Sequence, residues 1–213
     1  MRKVSNVRAE RAAICATLDR AGPDAPTLCG DWTTADLTAH LVLRERRPDA
    51  AGGIILKPLA RYTESVQTGL KNGRPYPELV DLVRQGPPAW SPYAIPPVDA
   101  AVNAVELFVH HEDVRRAQPA WEPRDLPAAV QDDLWARLRR MARLCFRKAP
   151  VGVVLRRPEG DLVGARKAEP HVVVTGDPAE LLLYAFGRQA HARVALHGDE
   201  TSIALLNAAS LGM

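Results

Sequence analysis

Twenty residues from Val98 to Ala117, VDAAVNAVELFVHHEDVRRA, run without a Gly or Pro. The segment ahead of them, GPPAWSPYAIPP at 86–97, carries five prolines in twelve residues and cannot be regular structure. A helix is therefore predicted to begin near Val98. Residues four apart share one helical face, so Glu106 and His110 project side by side. On a helical wheel, Val98, Val102, Val105 and Val109 flank the pair on one side, and Leu107 and Val114 on the other. Burying a carboxylate inside an aliphatic arc is costly without compensation. A bound cation with a third ligand from elsewhere supplies it, and so does a plain Glu–His hydrogen bond at a helix edge. His111 and Glu112 fall well away from Glu106, near Arg115, and are expected to be solvated.

A second inward-facing histidine lies upstream. Thr33 followed by Asp36 resembles a capping box, with Asp in place of the usual Glu, so a helix is predicted from Thr33 to Arg47, stopped by Pro48. His40 sits in the middle of it, with Leu37 and Leu41 to one side and Leu43 to the other. A lone inward His is either a satisfied core residue or a ligand. Trp32, just before the helix, is expected to anchor the core.

The other elements follow from punctuation. A first helix is predicted over 3–20, with Val4, Val7, Ala12, Ile14, Cys15 and Leu18 as its apolar positions, ended by Ala21-Gly22-Pro23. Residues 48–57 read as a loop, Pro58 to Leu70 as a helix, Asn72-Gly73 as a turn, and a short helix follows Pro77 up to Gly86. Trp90 and Tyr93 are expected to anchor the proline-rich loop or to line a pocket. The linker AQPAWEPRDLP places a domain boundary near 119–124, and a long amphipathic helix follows from Pro127 to Lys148. The pattern then changes. Residues 151–158 and 171–176 are β-branched runs read as strands, and 192–199 as a third. A helix is predicted over 177–187 and a last one from Glu200 to Ala209. The chain is read as two domains, a helical one at 1–120 and an α+β one at 121–213.

Composition removes several function classes. With 213 residues and a net charge of only +3, and with no Lys/Arg block, nucleic-acid binding is not indicated. No apolar run reaches the ~18 residues of a membrane span. The N-terminus is charged throughout and lacks the apolar stretch of a signal peptide. Cys15, Cys29 and Cys145 are odd in number and lack CxxC spacing, which fits a reducing cytoplasm. Phosphate loops, GxSxG and HExxH are absent. What remains is His40 on one helix with Glu106 and His110 on another. Facing helices can converge such ligands, and two imidazoles with one carboxylate leave a fourth position on Zn²⁺ for water or substrate. Nickel, iron or cobalt suit the same donors.

The pieces CGDWTTADLTAHL (Cys29 to Leu41) and VNAVELFVHHEDVRRA (Val102 to Ala117) resemble the actinobacterial metal-binding branch of the DinB-like, mycothiol-dependent maleylpyruvate isomerase superfamily. The tail VTGDPAELLLYAFGR, followed by VALHGD, is similar to the family's C-terminal domain. The resemblance implies an N-terminal DinB-like four-helix bundle with a small, sterol-carrier-like C-terminal α+β domain. It also implies a metal triad of His40, Glu106 and His110. Residues 48–97 carry no motif matching the family.

The same resemblance implies mycothiol as cofactor and a small electrophilic substrate, hence a metal-dependent isomerase or thiol S-transferase. A C-terminal-domain arginine is implied to face the cleft. Arg188 is the candidate for that catalytic and cofactor-holding role, although a helix-end cation reads equally well there. Arg44, one turn from His40, is a second cofactor-binding candidate. Asp36 and Asn103 are candidates for fixing ligand orientation, and Asp36 also fits a pure capping role. Cys29 reads as a small buried residue or a redox-active thiol. Two other classes stay open: a metal-binding or stress-related protein without turnover, and a structural helical protein whose Glu–His pair is only hydrogen-bonded.

Overall fold

The computed structural model describes residues 6–54 and 56–212, with side chains apart from those of residues 6, 54, 57, 92 and 96–102. The apolar position predicted at Val4 and the flanking side chains of Val98 and Val102 lie outside the described residues. The chain is mostly helical with one small sheet, and it divides into two compact units, Met1–Glu122 and Pro123–Met213.

The N-terminal unit contains α1 (Asn6–Ala21), α2 (Thr34–Arg46), α3 (Pro48–Ala51), α4 (Ala60–Asn72), α5 (Tyr76–Gln85) and α6 (Pro96–Arg116). The capping box at the start of α2 forms. The Thr33 side chain accepts from the Asp36 backbone N–H, and Asp36 accepts from that of Thr33. The chain after Pro48 is not simply loop, because Pro at the first position of α3 restarts a helical turn at once. α6 begins on the last two of the five prolines, which is the tolerated place for them. α1 packs along α6 and α5, and α2 packs on α4 and α5. Ile14, Leu18, Leu37, Leu41, Val80 and Leu107 fill the space between them. Each such burial contributes about 1.5–3 kcal/mol before entropy is counted.

α6 is buried on nearly every described face, and this corrects the reading of His111 and Glu112. They are 3% and 1% exposed. His111 Nδ1 donates to Glu10 at 2.7 Å and its Nε2 meets Thr17 Oγ1 at 2.9 Å. Glu112 accepts from Arg116 Nε at 2.6 Å and from Arg115 at 2.9 Å. A wheel divides a helix into wet and dry halves, but a helix enclosed by neighbours has no wet half and pairs its polar groups internally. Trp90 is corrected in the opposite sense. It is 64% exposed and anchors nothing.

The C-terminal unit holds α7 (Ala128–Cys145), α8 (Pro178–Ala185) and α9 (Glu200–Ala208) with β1 (Gly152–Arg156), β2 (Leu162–Arg166), β3 (His171–Thr175) and β4 (Ala195–His197). The strand order is β2-β1-β3-β4. β1 and β3 run parallel, and the two outer strands run antiparallel to their neighbours. Val153, Leu155, Val172 and Val174 form the buried face. β2 was not expected from the sequence. As an edge strand reading LVGAR, it buries only Ala165, so it lacks the apolar alternation that reveals a strand.

Candidate metal centre

Mid-α2 and mid-α6 bring His40 and Glu106 together across 66 residues of sequence. His40 Nε2 lies 3.4 Å from Glu106 Oε1, and His110 Nε2 lies 3.2 Å from the same oxygen. The three donor atoms fall within 4.8 Å of one another. A tetrahedral ion with bonds near ~2.1 Å spaces its ligands about 3.4 Å apart, so the donor set has the size and chemistry of a metal site. Trp32 packs its ring 5.2 Å from that of His40, which is 6% exposed.

The imidazole of His110 has two occupied edges. Its Nδ1 is 2.9 Å from Oδ2 of Asp113, whose side chain is fully buried. A carboxylate only accepts, so Nδ1 carries the proton, and Nε2 is the edge that faces Glu106. The Cys29 thiol donates to the same Oδ2 at 3.0 Å, and the Leu28 N–H bonds the Asp113 carbonyl, pinning this loop to α6. Asp113 was missed by the sequence reading. The signal was present, because Asp113 lies three residues after His110 on a neighbouring position of the same face.

Burial pushes the His40 imidazole below its ordinary value. Burial opposes ionisation of Glu106, but hydrogen bonds from His110 and His40 and the charges of His110 and Arg44 outweigh it, so the carboxyl sits well below the usual range. Burial likewise disfavours a charged His110, yet the bonds to Asp113, Cys29 and Glu106 hold it well above the ordinary histidine value.

The other candidates distribute differently. Asp36 caps α2 and pairs with Lys71 at 2.7 Å, so it serves its helix and not the ligands. Asn103 bonds Arg44 and Glu45 rather than any of the three donors. Arg44 is 8% exposed, with Nε 3.4 Å from Glu106 Oε1 and its guanidinium over the Tyr93 ring. Arg188 stands in the C-terminal unit, at the turn after α8, where its Nη1 donates to the Phe186 carbonyl at 2.6 Å. Cys29 is partly buried.

A family model described as the mycothiol maleylpyruvate isomerase N-terminal domain matches residues 4–90. Residues 4–90 are thus similar to the N-terminal domain of the mycothiol-dependent maleylpyruvate isomerases. The match includes His40 and runs through residues 48–90, which carried no recognisable family motif. A crystal structure of a mycothiol-dependent maleylpyruvate isomerase aligns over 91% of each chain, with TM-score 0.54 and 17% identity. A histidine-to-alanine mutant of a mycothiol-dependent maleylpyruvate isomerase aligns over the same shares, with TM-score 0.52 and 17% identity. This chain has the fold of those maleylpyruvate isomerases. Among curated proteins, none matches the sequence. Among the described residues, no helix is long and apolar enough to cross a membrane.

Proposed function

We propose that this protein is a metal-dependent, mycothiol-using isomerase or thiol S-transferase acting on a small electrophilic substrate. Zinc is the preferred ion, held by His40, Glu106 and His110. The observation that supports this reading is the convergence of both imidazole Nε2 atoms on one Glu106 oxygen, with a buried Asp113 fixing the far edge of His110. A metal-ligating histidine characteristically gives its other ring nitrogen to a carboxylate, and Asp113 stands at that position beside His110.

His40, Glu106 and His110 would hold the divalent cation, which when bound would supply the Lewis acidity that favours the thiolate form of a thiol. Trp32 packs on the His40 ring, and His40 is only 6% exposed, which limits the water there and strengthens its electrostatic interactions. In the isomerase reading, the thiolate adds to the conjugated double bond and its π pair moves onto the conjugated carbonyl as an enolate; rotation about the resulting single bond follows, and return of the enolate pair re-forms the double bond and expels the thiolate. In the transferase reading the C–S bond persists and a leaving group departs. Arg188 of the C-terminal unit is proposed to hold an anionic group of cofactor or substrate.

The test is turnover of maleylpyruvate, and of a bimane-type electrophile, by metal-loaded protein with and without mycothiol. Thiol-dependent turnover that disappears in Glu106→Gln supports the reading. Full metal occupancy with no turnover of either substrate leaves a metal-binding protein without catalysis.

A further inference from the structure

Behind Glu106 lies a run of buried polar groups contributed by α1, α2 and α6. Arg11 clasps Glu45 with two bonds, at 2.9 and 2.5 Å. Asn103 Nδ2 donates to the same carboxylate at 3.2 Å, and its Oδ1 accepts from Arg44 Nη1 at 2.5 Å. Arg44 then points Nε at Glu106 Oε1, 3.4 Å away, and lays its guanidinium over the Tyr93 ring at 5.2 Å. Arg11, Glu45, Asn103 and Arg44 are all at most 8% exposed.

The charges do not cancel evenly along this run. Arg11 and Glu45 neutralise each other through their paired bonds. Asn103 is neutral and connects that pair to Arg44. Among the described residues, the carboxylate paired with Arg44 is Glu106, which is also a member of the proposed ligand set. A buried arginine that shares its counter-ion with a divalent cation is left with surplus positive charge. With two neutral imidazoles and one carboxylate as ligands, a divalent ion keeps one net positive charge, which the buried Asp113 carboxylate behind His110 balances from the far side of the ring. The charge left over is that of Arg44, fixed 3.4 Å from the ligand oxygen of Glu106, where desolvation weakens screening.

We propose that Arg44 is a specificity-determining residue that makes the open metal position select an anionic donor, such as a thiolate, over a neutral one. The inference rests on the metal reading above and goes beyond it, because it assigns the ligand preference to a side chain that does not touch the metal. The planar guanidinium suits the task. Asn103, Glu106 and Tyr93 hold it on two edges and a face, so the charge cannot swing away.

The experiment uses the cobalt(II)-loaded full chain, titrated with azide as the anionic probe and imidazole as the neutral one, and followed by visible absorption. In Arg44→Met, azide binding is expected to weaken on the order of ten-fold or more, while imidazole binding barely moves. Arg44→Lys is expected to keep most of the azide affinity, separating charge from shape. If Arg44→Met does not fold, Asn103→Asp places a carboxylate against the same Nη1, and the same selective loss of azide is expected. Unchanged azide affinity in the variant that folds, or equal weakening of both probes, overturns the inference. A wild-type chain that binds no cobalt overturns the metal reading and this inference with it, whereas cobalt uptake without azide selectivity overturns this inference alone.

Discussion

Asp113 holds His110 by its Nδ1, 2.9 Å away, and so leaves Nε2 as the edge directed at Glu106. That one bond fixes both the tautomer and the ring orientation. Asp113→Asn keeps the shape of the side chain and removes its charge. The expected result is a loss of about 10–100-fold in metal affinity with the helical circular dichroism unchanged. Competition with a chelator of known affinity measures it, and wild-type affinity in the variant contradicts the assignment.

Asp36 gives a pH-dependent prediction. Burial opposes its ionisation, but bonds from Lys71 and Thr33 outweigh that and lower its carboxyl below the ordinary value. A depressed carboxyl contributes stability above its unfolded value, and that contribution is lost as pH falls through the folded value. Asp36→Asn is therefore expected to cost about 0.3–1 kcal/mol at neutral pH, the size of a carboxylate's charge in the first turn of a helix. Solvent screening keeps the share from Lys71 small. The gap between wild type and variant closes as pH drops below about 4. Urea unfolding at several pH values reads this directly, and a gap that widens in acid contradicts it.

Glu112 and Arg116 are each 1% exposed in their side chains and 2.6 Å apart. Glu112→Ala removes a buried partner and is expected to cost about 3–5 kcal/mol. Asp19→Ala, which breaks an exposed pair with Arg84, is expected to cost less than about 1 kcal/mol. Comparable losses at the two sites in chemical denaturation contradict the burial of Glu112.

Arg188→Ala tests the C-terminal arginine. The expected outcome is a KM for an anionic cofactor or substrate raised by about ten-fold or more, since a charge-assisted hydrogen bond contributes roughly 1.5–3 kcal/mol. Metal content stays at the wild-type level. An unchanged KM leaves Arg188 as a helix-end group bonded to the Phe186 carbonyl.

Local chemistry made much of this legible. Thr33 and Asp36 announce the start of α2, and the proline cluster announces the start of α6. Spacing alone puts Glu106 and His110 on one face. What spacing cannot show is how many neighbours a helix has. His111 and Glu112 read as solvent-facing on a wheel, and the packing of α1 along α6 is what buries α6. Asn103 lies one turn from Glu106 in sequence, yet it bonds Arg44, a residue of another helix, which in turn faces Glu106. β2 escaped because an edge strand needs little apolar pattern to form.

The central claim is that His40, Glu106 and His110 share one ion. Elemental analysis of the purified chain, beside His40→Ala and His110→Ala, tests it most directly. The account predicts close to one equivalent of divalent metal in the wild type and a loss of most of it in each variant. Metal below about a tenth of an equivalent in all three proteins, after exposure to excess zinc at neutral pH, contradicts it, given that a three-ligand zinc site of this kind retains its ion.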